Sequence, residues 1–495
     1  MNLQQTYYLP LEANRPDLSS TFSDYMEEIY NSGNFMTNVL PEYQHDSAAA
    51  PNGASSLSSN ETCNWGFIKG HGIHCYIEPS GTATGNLLWA LSILARNAAY
   101  TNNETLITSV LCPLLNQSLQ FYQHIQIVNK DDNSIHLPAT YSPEYPHAVE
   151  PDANYDVSLY RWGLEQGIQL SQQYPNSICN GPNVNKWKTT LNTFTWFPID
   201  PITDTLEIYS GVPYAIPHRH YSHLFSIWPL HLLNLSNTSQ FVLATNSINL
   251  WLATPEKDSM FYRPAASAMS VLLSKNAAAF DNVTYLLNHR IEGSGWYREG
   301  SQGSCTETPY ANAWAVINWM VSSWNTTKTG QVIIDFFPGI DDVIHSNLNE
   351  YVFAPSRAAT AQIYRMGTHG GVLVSGRRKL VTTNTTHFIT TTSWIAVEAA
   401  ANDQSIIVKT NMKRPLSMKS NAMSKVKFVE IGDGSVEIIG LNKDETSVLF
   451  STTDVPDDFT ISPLNGCKDN YNHWGLLENQ KKKLDGDTVW PCLYT

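Results

Sequence analysis

The sequence predicts a mainly α protein, a helical toroid of the (α/α)6 kind over residues 1–340, followed by a smaller antiparallel β-sandwich over 341–455 and a tail over 456–495. Three observations carry this expectation. Between Leu18 and Trp324 apolar residues recur at spacings of three and four, the period of a helix buried on one side. Chemically versatile side chains gather in the breaks between those periodic segments rather than within them. After Trp324 the texture changes to short β-branched runs divided by Gly and Asn, the pattern of a small sandwich.

In chain order, Leu18 to Tyr30 reads as an amphipathic helix, followed by a long Ser/Asn/Gly-rich loop through Cys63, Trp65 and Gly70 to Cys75. Loops of that length in compact domains are functional or disordered, and Trp65, His71 and His74 make this one a candidate cleft wall. Residues 84–99 carry apolar groups on more than one face and predict a buried helix. Residues 104–127 predict another, interrupted at Pro113. Further helices are expected over 152–173, 184–192, 219–234, 238–252, 261–274, 277–288 and 309–324. Residues 331–337 predict the first strand, and later strands are expected around Val372–Val374, Leu380–Thr383, His387–Thr390, Ser405–Lys409, Val426–Val429 and Val436–Ile439.

Composition narrows the function classes. Hydrophobic residues make up 42% of the chain and charged residues 15%, which suits a globular protein and excludes disorder. The net charge of −14 argues against nucleic acid and anionic membranes as partners. A neutral substrate fits better, and the 14 Trp and 24 Tyr suit a cleft that stacks rings on sugar faces, although a large core would also absorb them. No run of 18 apolar residues predicts a transmembrane helix. Asn-X-Ser/Thr acceptors at Asn60, Asn103, Asn116, Asn234, Asn237, Asn282, Asn325 and Asn384 predict a glycoprotein of the secretory pathway, although the first residues carry no signal peptide. The seven cysteines are odd in number; Cys63 with Cys75, and Cys467 with Cys492 closing the tail, are plausible local pairs.

Four windows carry chemistry. In His136-Leu137-Pro138-Ala139-Thr140-Tyr141-Ser142-Pro143-Glu144-Tyr145-Pro146 an acid stands among prolines and aromatics. Such a setting can desolvate a carboxyl and keep it protonated near neutral pH, or it can be a plain surface turn. Asp152 and Asp156, with Arg161 beyond them, line either a pocket wall or the acidic first turn of a helix. His218-Arg219-His220-Tyr221-Ser222-His223 packs three imidazoles and a guanidinium into six residues. That density serves sugar hydroxyls, a metal or a satisfied core; no Glu or Asp follows at metalloprotease spacing, so no metal is expected. Glu307 is either a catalytic carboxylate or a cap on the 309–324 helix. Walker, Gly-X-Ser-X-Gly and Cys-X-X-Cys motifs are missing, and no cofactor is expected.

Together these windows resemble the catalytic domain of glycoside hydrolase family 95, the inverting α-L-fucosidases and α-L-galactosidases, and its six-hairpin glycosidase relatives. The resemblance implies the (α/α)6 toroid independently of the periodicity. It makes Glu144 the general acid, and it places Glu307 where the family has the Asp of Gln-Ile-Asp-Gly-Asn-Phe-Gly as base, one methylene longer and without the following glycines. Asn2 matches the second asparagine of a water-positioning segment whose first would precede Met1. The resemblance thus implies a chain that starts inside its own active-site motif and lacks the family's N-terminal β-domain. His218, Arg219, His220, His223, Trp65, Asp152 and Asp156 would bind the sugar. The expected activity is release of a terminal α-L-fucosyl or α-L-galactosyl residue from an oligosaccharide or glycan. Two alternatives stand beside it: a sugar-binding protein that has lost its base, and a polysaccharide lyase using Tyr221 and His220.

Overall fold

The computed structural model describes residues 7–50, 83–143, 145, 149–253, 262–289, 297–298, 305–307, 321–326, 331–338, 343–345, 360–382, 387–412, 415–421, 426–432 and 434–450. The chain divides into two compact units, residues 19–98 with 103–257, and residues 1–18 with 99–102 and 258–495.

The first unit is helical. α1 (Leu9–Glu12) precedes it, and α2 (Pro16–Ser32) runs into it, opening with Pro16 and Asp17 and burying Phe22, Met26 and Ile29 on one face. Asn97 of α3 (Asn86–Thr101) fixes α2 by donating to the Ser19 carbonyl (3.0 Å) and pairing with the Ser23 hydroxyl. α4 (Cys112–Ile125) follows a helical turn at Glu104–Leu106 and a wider π turn at Ile107–Leu111. The interruption expected at Pro113 is therefore absorbed: the widened turn just before the proline accommodates a ring and a missing N–H that a regular α turn would not. After the short hairpin of β1 (Ile127–Val128) and β2 (Ile135–His136), α5 (Asn154–Gln173) forms the buried axis of the unit. A Cβ on Gly163 would sit 3.0 Å from Leu88 and Leu119, and one on Gly167 would sit 3.0 Å from the Trp187 ring. These two positions let α3, α4 and α6 (Val184–Thr193) approach α5 closely. Tyr122 stacks on Tyr160 at 4.6 Å, and Trp89 meets Phe225 edge-on at 4.7 Å. The hairpin of β3 (Ile199–Asp200) and β4 (Thr205–Leu206) and helix α7 (Thr238–Leu252) complete the described part.

Two expectations fail here. Residues 219–234 do not form a helix: Pro229 cannot donate the bond a helix needs, and the segment folds as turns around one 3-10 turn at Ser222–Leu224. The helix expected over 309–324 is also not supported, because Val321–Thr326 is a strand; residues 308–320 lie outside those described. A disulfide joins Cys112 to Cys179 across 67 positions, with Cα atoms 5.1 Å apart, a pairing that local spacing gave no reason to expect. The pairs expected at Cys63–Cys75 and Cys467–Cys492 lie outside the described residues.

The second unit holds α8 (Tyr262–Leu272), α9 (Asn276–His289) and the β-rich part. Asn282 on α9 is buried; its amide nitrogen donates to the Ala278 carbonyl (2.8 Å) and its oxygen accepts from Arg263 of α8 (3.0 Å). Short strands β5 (Tyr297–Arg298) and β6 (Cys305–Glu307) pair with each other. The remaining strands are β7 (Val321–Thr326), β8 (Val332–Phe336), β9 (Val343–His345), β10 (Thr360–Gly367), β11 (Leu373–Thr382) and β12 (His387–Glu398), then β13 (Gln404–Lys409), β14 (Ser417–Ser420), β15 (Lys427–Gly432), β16 (Ser435–Leu441) and β17 (Thr446–Phe450). One sheet runs β10-β11-β12-β17-β14 with β9 on β12; the other runs β15-β16-β13-β8-β7. Both feed one apolar cluster that includes Ile334, Phe336, Val374, Ile395, Val408 and Ile438, the arrangement of a sandwich. Among the described strands of these two sheets the pairs are antiparallel except β8 with β13, which runs parallel. Among the described residues no helix is long and apolar enough to cross a membrane.

Candidate active site

Three of the expected site residues, Asn2, Trp65 and Glu144, lie outside the described residues. The backbone of Glu307 closes strand β6 opposite Tyr297. The other six expected residues belong to two segments of the helical unit, the loop from Leu137 to Asp152 with the start of α5, and the turns around residues 218–223.

The loop that contains Glu144 is tied at both ends. At its neck, Asp152 adopts a positive φ of 52°, and this turns its carboxylate back onto the preceding strand. One oxygen accepts the Leu137 N–H (2.7 Å) and the other meets His136 Nδ1 (2.7 Å), while the Asp152 N–H donates to the Leu137 carbonyl (3.2 Å). The far imidazole nitrogen, Nε2, contacts Ser134 Oγ at 2.8 Å, giving a Ser–His–Asp order. Ser134 also lies 2.6 Å from an Asp132 carboxylate oxygen that competes for its single hydrogen, so it is no activated nucleophile. Higher in the loop, Thr140 pairs with Glu150, and the Tyr145 N–H closes a turn on the Ser142 carbonyl (2.7 Å).

Asp156, on the first turn of α5, is fully buried among donors. Thr140 donates to one oxygen (2.5 Å) and the Tyr122 phenol to the other (3.1 Å), and Thr84 and the Gly85 N–H contribute as well. Desolvation outweighs these bonds and raises its pKa to about 6. The close approach of Gly85 is obligatory, since a Cβ there would lie 2.4 Å from Leu159 and 2.9 Å from the carboxylate. Asp152 and Asp156, read from sequence as sugar ligands, thus have their oxygens engaged by protein groups. Arg161 is buried below, donating to the Phe194 (3.2 Å) and Thr195 (2.9 Å) carbonyls with its guanidinium 4.8 Å from the Trp196 ring.

The histidine segment is held by a different kind of contact. The Trp251 indole of α7 donates to the carbonyls of both His218 (3.2 Å) and His220 (3.1 Å). The Tyr214 hydroxyl accepts from the His218 N–H (2.7 Å) and donates to its carbonyl (2.8 Å), and the Tyr214 ring stacks on His223 at 4.6 Å. His218 Nδ1 accepts the His220 N–H (3.1 Å), and the two rings lie 4.9 Å apart. His218 and Arg219 are half-buried, His220 and His223 buried. Burial, then the neighbouring charge of Arg219 and His218, lowers the His220 pKa well below the usual value; burial, then His218, takes His223 to about 3. Both imidazoles are therefore neutral at physiological pH, each with one donor and one acceptor nitrogen. Among the described residues no group of three His, Cys, Asp or Glu is placed to hold a metal ion.

The two segments meet. Ser142 donates its N–H to the Tyr209 hydroxyl (3.0 Å), and its own hydroxyl bonds that of Ser222 (2.8 Å). Ser142, Tyr209 and Ser222 are buried. None of the three was singled out from sequence as a site residue; two stand inside the motifs, but a serine in a motif carries no sign of its partner.

The comparisons bear on residues 1–300, which match the glycosyl hydrolase family 95 catalytic domain. No curated protein matches the chain. Among solved structures, one titled as a kojibiose phosphorylase from the human microbiome is similar at 9% identity with a TM-score of 0.43, over 75% of this chain and 50% of that one. A GH127 β-arabinofuranosidase is similar at 10% identity with a TM-score of 0.20, over 73% of this chain and 50% of that one. The chain spans half the length of each, and likeness of this degree does not fix a shared topology. The domain match covers more than half of the sequence and contains the Ser-Pro-Glu and His-Arg-His windows, and the chain is a member of glycosyl hydrolase family 95.

Proposed function

We infer that the chain is a glycoside hydrolase that removes a terminal α-L-fucosyl or α-L-galactosyl residue from an oligosaccharide or glycan with inversion, on a catalytic domain of the (α/α)6 type. Glu144 delivers a proton to the leaving oxygen. Glu307, with Asn2 orienting the water, takes the proton of the attacking water on the opposite face, which requires carboxyls about 6.5–9.5 Å apart. His218, Arg219, His220 and His223, with Trp65, hold the sugar. The observation that carries this reading is the hydrogen-bonded meeting of the Ser-Pro-Glu turn with a turn bearing neutral, buried imidazoles, within a family 95 catalytic domain.

The test is release of free sugar from 2′-fucosyllactose and from an α-L-galactoside by the full chain and by its Glu144→Gln variant, with the anomer of the product read by NMR. Turnover that the variant loses, giving the inverted anomer, is the expected result; retention of configuration would overturn the mechanism. Glu307 in place of the family's Asp favours one second reading, a sugar-binding protein without turnover. That reading requires fucose affinity in a chain that releases nothing. Passage through the secretory pathway is part of the proposal, supported by exposed acceptors at Asn103, Asn234 and Asn237.

A further inference from the structure

We propose that Ser142 and Ser222 are positioning residues whose hydroxyl–hydroxyl bond couples the turn carrying the proton donor to the turn carrying the sugar-binding histidines. The inference rests on the reading of Glu144 as the acid. Ser142 stands two residues before Glu144 and Ser222 one residue before His223. Their 2.8 Å bond crosses directly between the two motifs, and it is fully buried, so water cannot replace it when either partner is lost. Behind it, the Tyr209 phenol receives the Ser142 N–H (3.0 Å), fixing the backbone from which the turn to Tyr145 departs. Burial pushes the Tyr209 phenol well up, so it remains a neutral hydroxyl.

The consequence is specific to proton delivery. A sugar held by the histidines presents its glycosidic oxygen at a place set by segment 218–223, whereas Ser142 fixes the backbone two residues before the acid. Protonation needs the two within hydrogen-bond reach, and a displacement of about 1 Å can cost about a hundredfold in rate. The bond between the two serines removes the freedom that would allow such a displacement.

The test compares Ser142→Ala, Ser222→Ala, the double variant and Glu144→Gln on two α-L-fucosides, 2′-fucosyllactose and 2-chloro-4-nitrophenyl α-L-fucoside. The lactose leaving group needs the acid, whereas the activated phenol leaves with little help. Each single serine variant should lower kcat on 2′-fucosyllactose about tenfold or more, leave the phenyl glycoside within about threefold, and barely change KM. The double variant, which removes both polar groups and leaves neither unpaired, should fold and be no slower than either single one. Losses that are equal on both substrates, or that add in the double variant, overturn the coupling, because they mean general destabilisation or independent roles. If Glu144→Gln shows no difference between the two leaving groups, or the unaltered chain releases sugar from neither, the acid assignment falls and the coupling falls with it. A leaving-group difference in Glu144→Gln but not in the serine variants overturns the coupling alone.

Discussion

The two segments that meet at Ser142 and Ser222 are anchored by opposite chemistry. The loop from Leu137 to Asp152 is tied down by carboxylates, Asp152 at its neck and Asp156 beneath Thr140. The histidine segment is tied by neutral groups, an indole, a phenol and a serine. Carboxylate anchors accept several bonds at one point and are strong, but they cost desolvation and titrate. Neutral anchors are weaker singly and keep their protonation state across the physiological range. The Leu137–Asp152 loop is thus clamped and the imidazoles are cradled.

The largest break should come from the disulfide, because Cys112 and Cys179 bracket the whole clamped loop. Replacing both cysteines by serine should cost about 4 kcal/mol of unfolding free energy, read from a lowered denaturant midpoint, if the 67-residue separation acts through chain entropy. Next in size, Asp156→Ala strips the acceptor from Tyr122 and Thr140 together and should destabilise the fold by about 3 kcal/mol, read by chemical denaturation. Trp251→Phe removes one shared donor from the other side and should cost only about 1 kcal/mol in the same measurement. A Trp251 variant as damaging as the Asp156 one would erase the distinction between clamp and cradle.

The finest distinction is in pH, where the two sides oppose each other. Asp156 binds its proton more tightly folded, at about 6, than unfolded, near 3.8, so its contribution to stability falls as pH rises from about 4 through 6. His223 binds its proton less tightly folded, at about 3, than unfolded, near 6.5, so its contribution is full above 6.5 and is lost as pH falls toward 3. Unfolding followed from pH 7 to 4 should show Asp156→Asn losing more stability on acidification than the parent chain, and His223→Gln losing less. Equal slopes in all three would show that neither buried group governs the acid limb.

Much of this was legible in the sequence. The helices of the α5 to α9 region stand within a few residues of their expected places, because each carries an apolar face of its own. Strands β8, β11, β12, β13, β15 and β16 were equally plain from their β-branched runs, whereas β9, β10, β14 and β17 were not expected. What failed was set by partners distant in sequence. The 219–234 segment has helical spacing in Leu224, Ile227 and Trp228, but the His220 carbonyl is claimed by Trp251, and Pro229 lies inside it. Val321–Thr326 reads as a helix end until β8 pairs with it. Among the site residues, the residue types at 152 and 156 pointed to sugar contact, yet no pattern could say that Leu137, His136, Tyr122 and Thr140 already occupy those oxygens. The π turn before Pro113 is likewise a compromise that no residue type announces.

Asn282 has both of its side-chain polar atoms engaged within the fold. The atom that donates to the Ala278 carbonyl is the atom to which a glycan would be attached, and the oxygen beside it already serves Arg263. At Asn237 the arrangement differs: the residue is exposed and its side-chain oxygen caps α7 through the N–H groups of Ser239 and Gln240. A chain that receives a sugar at 237 can still complete its helix, whereas one that receives it at 282 forfeits the seat of α9 against α8. In a glycosylated chain, folding and modification would be rival claims on one nitrogen, and the ratio of occupancy at the two positions would report how soon that pair of helices closes.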